Sequence, residues 1–272
     1  MMTFATIIWD MNPEIFPSLF ENLPLHPRWY GILFAIAFMA GFKIEEKIFA
    51  REKLNAEWVD SLFMTVLIGT VLGARFGHVF FYGWDYYSQH PSEILKIWEG
   101  GLASHGAVIG VIFSLFVWSK RVSKKPLLWI LDRTVLAMAL GGSLVRLGNF
   151  FNSEIVGQPT DLPWGVDFVL LGDHVARHPA QLYESIAYMI TFLILYQGYW
   201  KYDKGKNQGF LFGAFMVLVF GFRFIVEFFK ENQEAFEADM ALNMGQWLSI
   251  PVVIIGLYFI WRSQKPTTST ST

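Results

Sequence analysis

The chain has 272 residues, of which 54% are hydrophobic, 18% aromatic and 16% charged. A soluble domain of this length carries more charge, so this composition indicates an integral membrane protein. The net charge of −2 is too small to steer nucleic acid, and the absence of cysteine excludes disulfides, thiolate catalysis and cysteine-ligated metals.

The amino-terminal stretch before residue 29 is predicted to be a short interfacial segment. It carries Asp10, Glu14 and Glu21 and has no basic region before its first apolar residues, so it does not resemble a cleavable signal peptide. Prolines recur between positions 13 and 27 and exclude a long helix.

Seven later segments are long and apolar enough to cross a bilayer, which takes about 20 residues. They are Trp29–Ile48, Trp58–Tyr82, Gly101–Ser119, Leu127–Phe151, Gln181–Trp200, Gly209–Phe229 and Met244–Arg262. The predicted fold is therefore all-α and polytopic, with seven transmembrane helices.

Basic residues in the connections predict the orientation, because cytoplasmic loops collect Lys and Arg. Thirteen lie in alternate connections and the tail: Lys43, Lys47, Arg51, Lys53, Lys120, Arg121, Lys124, Lys125, Lys201, Lys204, Lys206, Arg262 and Lys265. The other connections carry only Lys96, Arg177 and Lys230. We expect the amino terminus outside and the carboxyl terminus in the cytoplasm.

The same pattern predicts the domain organisation. Residues 1–262 form one membrane-embedded catalytic domain, and residues 152–179, between spans four and five, form a small exterior segment. The polar residues 263–272 are predicted to be a disordered cytoplasmic tail. No internal repeat is evident, which argues against an inverted-repeat transporter.

Two groups of charged residues lie at the outer ends of predicted spans. Arg146 and Asn149 share one helix face, with Glu154 just beyond, and Arg223 and Glu227 share another. A charge at membrane depth costs at least about 2.5 kcal/mol and normally has a partner. Each group could be a structural pair, but guanidinium forks also match the oxygens of a phosphate.

A third group surrounds His105 in the stretch GGLASHG at 100–106. Glycines on both sides permit backbone conformations and close approaches that other residues resist. A histidine at the edge of an apolar segment is often structural. Beside an anion clamp it could instead act as a general base.

Span five opens with RHPAQLYES at 177–185. We interpret its polar residues, Glu184 and Tyr183 among them, as a helix cap and a brace for the exterior segment.

These motifs together resemble the bacterial prolipoprotein diacylglyceryl transferases. The resemblance covers most of the chain: WYG at 29–31, GARFGHVFFY at 73–82, WEGGLASHGAVIGV at 98–111, RLGNFFNSEIVGQPTDLPWGV at 146–166, RHPAQLYE at 177–184 and RFIVEFFKE at 223–231. The GGLASHG and RLGNFFNSE blocks, in this order on seven spans, are specific to that family.

The resemblance implies an enzyme of the bacterial plasma (inner) membrane with its active site toward the exterior. Such enzymes transfer diacylglyceryl from phosphatidylglycerol to the thiol of the lipobox cysteine in a prolipoprotein signal peptide, releasing glycerol 1-phosphate. No cofactor or metal is implied. The family's functional positions correspond to Tyr30, His105, Arg146, Asn149, Glu154, Gly157, Arg223 and Glu227.

Within this implied activity, His105, Arg146, Arg223 and Glu227 are the predicted catalytic residues. The two arginines would hold the phosphate and stabilise its developing charge. Substrate binding is predicted for Tyr30, Asn149, Glu154 and Gly157 together with the arginines. His105 is the hypothetical base for the thiol, and Glu154 or Glu227 is the rival.

The chain departs from the family pattern at one place. Members often have a tyrosine shortly before the last arginine, whereas this chain has Val219 and Phe220. We expect the missing hydroxyl to be absent or to come from Tyr30 or Tyr183. Two other functions stay open at this stage: a transporter or channel for an anionic solute, and a lipid-binding protein without turnover.

Overall fold

The computed structural model describes residues 7–20, 26–97, 100–231 and 240–265. Most of these residues are helical. The chain divides into two compact units. Unit 1 comprises Met1–Ile44 and Asp132–Thr272, and unit 2 comprises Glu45–Leu131. Most of the predicted tail, residues 266–272, lies outside the described residues.

The helices in the described ranges follow the predicted segments closely. They are α1 (Pro17–Phe20), α2 (Trp29–Arg51), α3 (Glu57–Phe81), α4 (Trp84–Tyr87), α5 (Ser104–Trp118), α6 (Leu127–Phe151), α7 (Ala180–Trp200), α8 (Phe210–Val226) and α9 (Met244–Ser263). A π-helical turn, Ser119–Ser123, extends α5, and 3-10 turns occupy Pro91–Leu95, Val169–Leu171, Lys204–Lys206 and Glu227–Phe229.

Five of these helices are long and apolar enough to cross a membrane within the described part of the chain. They are α3, α5 with its π turn, α6, α8 with its 3-10 turn, and α9. Helices α2 and α7 occupy the other two predicted segments, but both carry more polar residues. The chain is thus a mostly helical, polytopic membrane protein.

In unit 2, α3 and α5 pack backbone against backbone along a stripe of glycines. A Cβ atom built on Gly77 would lie 2.6 Å from the Cα of Gly106, and one built on Gly73 would lie 2.8 Å from the Cα of Gly110. Small residues permit this approach, which gains dispersion contacts where lipid offers no hydrophobic drive.

The connection between α3 and α5 is held by a buried arginine. The Arg75 guanidinium donates to the carbonyl oxygens of Glu93 (2.6 Å), Ile94 (2.9 Å) and Gly100 (2.7 Å) and lies over the Tyr87 ring. Arg75 is 3% exposed, so its charge is compensated by backbone dipoles rather than by a carboxylate. Its position in the fold is structural.

In unit 1, helices α6, α7 and α8 are joined by polar contacts. The Ser143 hydroxyl of α6 donates to the Ser185 carbonyl of α7 at 2.8 Å, and the Ser185 hydroxyl donates to the Ser143 carbonyl at 2.9 Å. Asp132, at the other end of α6, accepts from the backbone N–H groups of Gly209 and Phe212 and thereby caps α8. These contacts fix the register of three helices.

A small sheet accompanies the helices of unit 1 and was not part of the all-α prediction. Strand β1 (Ile7–Trp9) pairs in parallel with β2 (Val166–Phe168), which pairs antiparallel with β3 (Ala176–Arg177). Strands this short leave no alternation for a sequence to reveal. Trp9 packs on Phe150, so the sheet covers the end of α6.

The glycine stripe gives the first prediction. Gly73→Ala should lower the free energy of unfolding by about 1–3 kcal/mol, because the new methyl group would overlap the backbone of Gly106 and Gly110. Thermal unfolding in detergent measures the effect. Gly31→Ala in α2 is the matched control, since its Cβ would meet no described atom within 4 Å and alanine favours a helix. Equal melting of the two variants would contradict the prediction.

Candidate active site

The end of α6 brings the first predicted group together. The helix ends at Phe151, and Ser153 adopts a left-handed conformation (φ 55°) that turns the chain back. Asn149 Nδ2 then donates to Glu154 Oε1 at 2.7 Å, and Arg146 Nη1 donates to Asn149 Oδ1 at 3.4 Å. Arg146, Asn149 and Glu154 therefore form one connected polar cluster.

Helix α7 contributes to this cluster a carboxylate that the sequence interpretation placed elsewhere. Glu184 is 1% exposed, and its Oε2 lies 2.9 Å from Arg146 Nε. The N-cap of α7 is Pro179, without a side-chain cap, so the capping role expected for Glu184 is wrong. The brace is instead provided by Gln181, whose Nε2 donates to the Glu154 carbonyl at 2.6 Å.

The end of α8 builds the second predicted group and extends it. Arg223 Nε lies 3.4 Å from Glu227 Oε1, as the spacing predicts. Lys230 Nζ lies 2.9 Å from the same oxygen and 3.7 Å from Glu184 Oε1. The five charges alternate in sign, and we call them the charge chain: Arg146, Glu184, Lys230, Glu227 and Arg223.

Lys230 is the member that the sequence interpretation missed. It follows the last apolar run, so it was assigned to an exterior loop. In the structure its side chain is 2% exposed. Its signal in the sequence was the spacing of three from Glu227, which a 3-10 turn places on one side.

Both glutamates of the charge chain contact the Nε atom of their arginine. Such contacts orient a guanidinium and leave its outer Nη edge for another ligand. Glu227 is held further by Asn243, whose Nδ2 donates to Glu227 Oε2 at 3.1 Å. Asn243 also forms the capping box of α9 with Gln246, so the start of α9 anchors the carboxylate.

Tyr188 is a second residue that the sequence interpretation missed. It lies one turn after Glu184 in α7 and interacts electrostatically with both Arg146 and Arg223. Its ring packs on Val219, at the position where the family often has a tyrosine. A hydroxyl therefore reaches the two arginines from a different helix.

The other two tyrosines considered from the sequence divide between two places. Tyr30 interacts electrostatically with Arg146 and Glu154, so it belongs to the cluster. Tyr183 accepts from Trp164 Nε1 at 2.8 Å, and its oxygen lies 3.0 Å from His178 Nδ1. Tyr183 thus stabilises the segment before α7.

Gly157 lies where backbones converge rather than beside the arginines' side chains. Its N–H donates to the His178 carbonyl at 2.9 Å, and it forms a β-bridge with Lys230. A Cβ atom at this position would lie 2.5 Å from the Phe229 carbonyl oxygen. Only glycine permits this packing, which positions the backbone of Lys230. Its predicted role in lipid binding stays a prediction.

His105 belongs to unit 2 and lies exposed in the first turn of α5. Its ring contacts Phe81 and Tyr82 with centroids 5.3 and 5.5 Å apart. Gly100 and Gly101 precede it with φ of 91° and 67°, which confirms that this turn needs glycine. Among the described residues no cluster of His, Asp and Glu could hold a metal ion.

The segment between α6 and α7 is secured by ionic contacts outside the membrane helices. Arg177 contacts Asp173 Oδ2 at 2.5 Å and Glu231 Oε1 at 3.1 Å. The bond from Arg177 holds the pKa of the Asp173 carboxyl below its ordinary value. Partial burial lowers the pKa of His178. This segment therefore retains its neutral histidine and charged aspartate when folded.

Comparison with known proteins places these residues in a family context. A family model described as prolipoprotein diacylglyceryl transferase matches residues 17–262. Three similar proteins bear the name phosphatidylglycerol–prolipoprotein diacylglyceryl transferase. That of Chloroherpeton thalassium is 48% identical over 265 residues, covering 97% of each chain. That of Tolumonas auensis is 44% identical over 259 residues (95% and 98%), and that of Porphyromonas gingivalis is 42% identical over 276 residues (96% and 96%).

The charge chain gives the second prediction. Lys230→Met should lower the free energy of unfolding by about 3 kcal/mol, because two buried carboxylates lose a shared cation. Unfolding in detergent measures the loss. The control is Lys206→Met, which removes an exposed pair with Asp203 worth about 0–1 kcal/mol. Adding Glu227→Gln to Lys230→Met should recover part of the loss. Wild-type melting of Lys230→Met would contradict the prediction.

The third prediction concerns pH. The folded pKa of His178 is below its ordinary value of 6.5, so the unfolded segment binds a proton more readily. The stabilising contribution is complete above pH 6.5 and is lost as the pH falls through the folded pKa. Proteolysis of residues 152–179 should therefore accelerate in mild acid. His178→Gln should weaken this acceleration, whereas His174→Gln, at an exposed position, should leave it unchanged. The same acid response in both variants would argue against His178.

Proposed function

Because this chain belongs to the prolipoprotein diacylglyceryl transferase family, we propose that its charge chain binds the phosphate of the lipid substrate. The chain is a transferase that moves the diacylglyceryl group from phosphatidylglycerol to a prolipoprotein, the first step of lipoprotein maturation. The acceptor in this proposal is the thiol of the lipobox cysteine in the signal peptide. The products are a thioether and glycerol 1-phosphate.

One observation carries the assignment of the phosphate site. Arg146 and Arg223 are both held at Nε by buried carboxylates, which leaves their Nη edges for a bidentate anion. The five members of the charge chain sum to one positive charge, so a phosphodiester monoanion balances them. Tyr188, between the arginines, adds a hydroxyl to the same site.

The chemistry follows from the product. A thioether requires the thiolate sulfur to attack the glycerol carbon that bears the phosphate. The carbon–oxygen bond breaks, and its electron pair leaves on the phosphate oxygen. Arg146 and Arg223 stabilise this added charge, which is the electrostatic contribution that usually dominates such catalysis. Asn149, Tyr30 and Glu154 orient the headgroup, and Gly157 permits the backbone approach beside it.

His105 is the proposed base for the thiol. Its ring is exposed at the start of α5, so it can accept a proton from an incoming substrate. The rival carboxylates are engaged: Glu227 contacts Arg223, Lys230 and Asn243, and Glu154 accepts from Asn149 and Asn152. A carboxylate that holds other site residues in place is a poor choice for a mobile proton.

The proposed setting is the bacterial plasma (inner) membrane, with seven spans and one catalytic domain over residues 1–262. Helices α2 and α7 join the five more apolar helices as spans one and five. The basic connections place the amino terminus outside and the carboxyl terminus in the cytoplasm. The charge chain and His105 then face the exterior, where a signal peptide crossing the membrane presents its cysteine.

The assay combines purified protein, phosphatidylglycerol vesicles and a lipobox peptide, and follows glycerol phosphate and the lipidated peptide. Arg146→Gln and Arg223→Gln should each cut transfer by about 10²-fold or more, because each removes charge stabilisation in the transition state. Arg121→Gln, at an exposed position outside the site, is the matched control. Binding of both substrates without release of glycerol phosphate by the wild type would refute the proposal.

The fourth prediction tests the base. His105→Gln should lower turnover by about 10²–10⁴-fold and leave lipid binding nearly intact, because a general base acts only in the chemical step. His90→Gln, another exposed histidine of unit 2, should match the wild type. If His105→Gln abolishes lipid binding instead, His105 is a headgroup or structural residue.

A further inference from the structure

A polar cavity of about 400 Å³ lies in unit 1 beside Glu154. Three segments of the chain line it: the stretch after β1, the residue before α2, and the turn after α6. The lining residues are Asn12, Pro13, Glu14, Arg28, Asn152 and Glu154. Apart from Glu154, none of them has a part in the proposed reaction.

The wall of this cavity is a built structure rather than a loose surface. The Trp29 N–H donates to the Pro13 carbonyl at 3.0 Å, and the Ile15 N–H donates to the Pro27 carbonyl at 2.8 Å. The Trp29 ring stacks on Phe151 at the end of α6. The backbone around Glu14 is thereby held against the helix that carries Arg146.

The cavity presents both donors and acceptors. Asn12 Oδ1 accepts from the Glu14 N–H at 2.8 Å, which turns the amide NH₂ group of Asn12 outward. Arg28 Nη2 lies 3.9 Å from Glu14 Oε1 and keeps further N–H groups free for a ligand. Both amide contacts of Glu154 use its Oε1, so Oε2 remains as an acceptor.

The cavity also lies in line with the phosphate site. Arg146 contacts Asn149 at 3.4 Å, Asn149 contacts Glu154 at 2.7 Å, and Glu154 lines the cavity. A group attached to a phosphate at Arg146 can therefore extend past Asn149 into this space.

We propose that this cavity is the subsite for the free hydroxyl groups of a polyol headgroup, with Asn12, Glu14 and Arg28 as its specificity residues. Each hydroxyl is both donor and acceptor, which matches the mixed lining. The inference rests on the proposed function, in which the headgroup is glycerol phosphate. It adds a reason for lipid selection, since a lipid without these hydroxyls would leave the lining groups unpaired.

The test compares phosphatidylglycerol with phosphatidylpropanol, which keeps the phosphodiester but lacks both free hydroxyls. The wild type should prefer phosphatidylglycerol by about 10-fold or more in kcat/KM, since hydrogen bonds to charged groups contribute about 1.5–3 kcal/mol. Glu14→Ala should reduce this preference by lowering kcat/KM for phosphatidylglycerol alone. Asn12→Asp keeps the acceptor for the Glu14 N–H, removes the amide donor, and should act in the same direction.

Asp10→Asn is the matched control, because Asp10 is an exposed carboxylate on the same segment and does not line the cavity. It should retain the wild-type preference. Equal use of the two lipids by the wild type would overturn the subsite, and so would an equal loss for both lipids in Glu14→Ala and Asn12→Asp. Preference for phosphatidylethanolamine over phosphatidylglycerol would assign the cavity to an ammonium group instead. Absence of transfer from any lipid by the wild type would contradict the proposed function itself and the subsite with it.

Discussion

The alternation of charge from Arg146 through Glu184, Lys230 and Glu227 to Arg223 is the constraint on which unit 1 depends. Three cations and two carboxylates are placed among apolar helices, where an isolated charge would be costly. Each is stable there only because an oppositely charged group lies beside it. The ends of α6, α7 and α8 must therefore meet, and their meeting orients two guanidinium groups toward one space.

The irregular backbone around the charge chain serves the same purpose. Gly157 lets the segment after α6 run against Phe229 and Lys230, and the capping box at the start of α9 holds Glu227 through Asn243. At the other end of the bundle Asp132 caps α8 and sets its height against α6. Backbone groups within a membrane must find such internal partners. The site thus gains rigidity from contacts that the helices need in any case.

Much of the site could be predicted from spacing along single helices. Arg146 with Asn149, and Arg223 with Glu227, are neighbours on one helix face, and the structure places them together. The pairing of Arg146 with Glu184 could not be predicted, because it joins two helices whose relative rotation is not visible in a periodic pattern. Lys230 was assigned to a loop for the same reason. Its burial results from the segment around Gly157 folding over it.

Composition and motifs by themselves determined that the chain is a helical membrane protein, where its helices run, and which family it resembles. These properties follow from hydropathy and local spacing, which each segment carries alone. Tertiary structure alone decided which carboxylate holds which arginine, that Tyr188 supplies a hydroxyl beside Val219, and that β1 pairs with β2. Those contacts join residues far apart in the chain, and their energies depend on helix packing, which no single segment encodes.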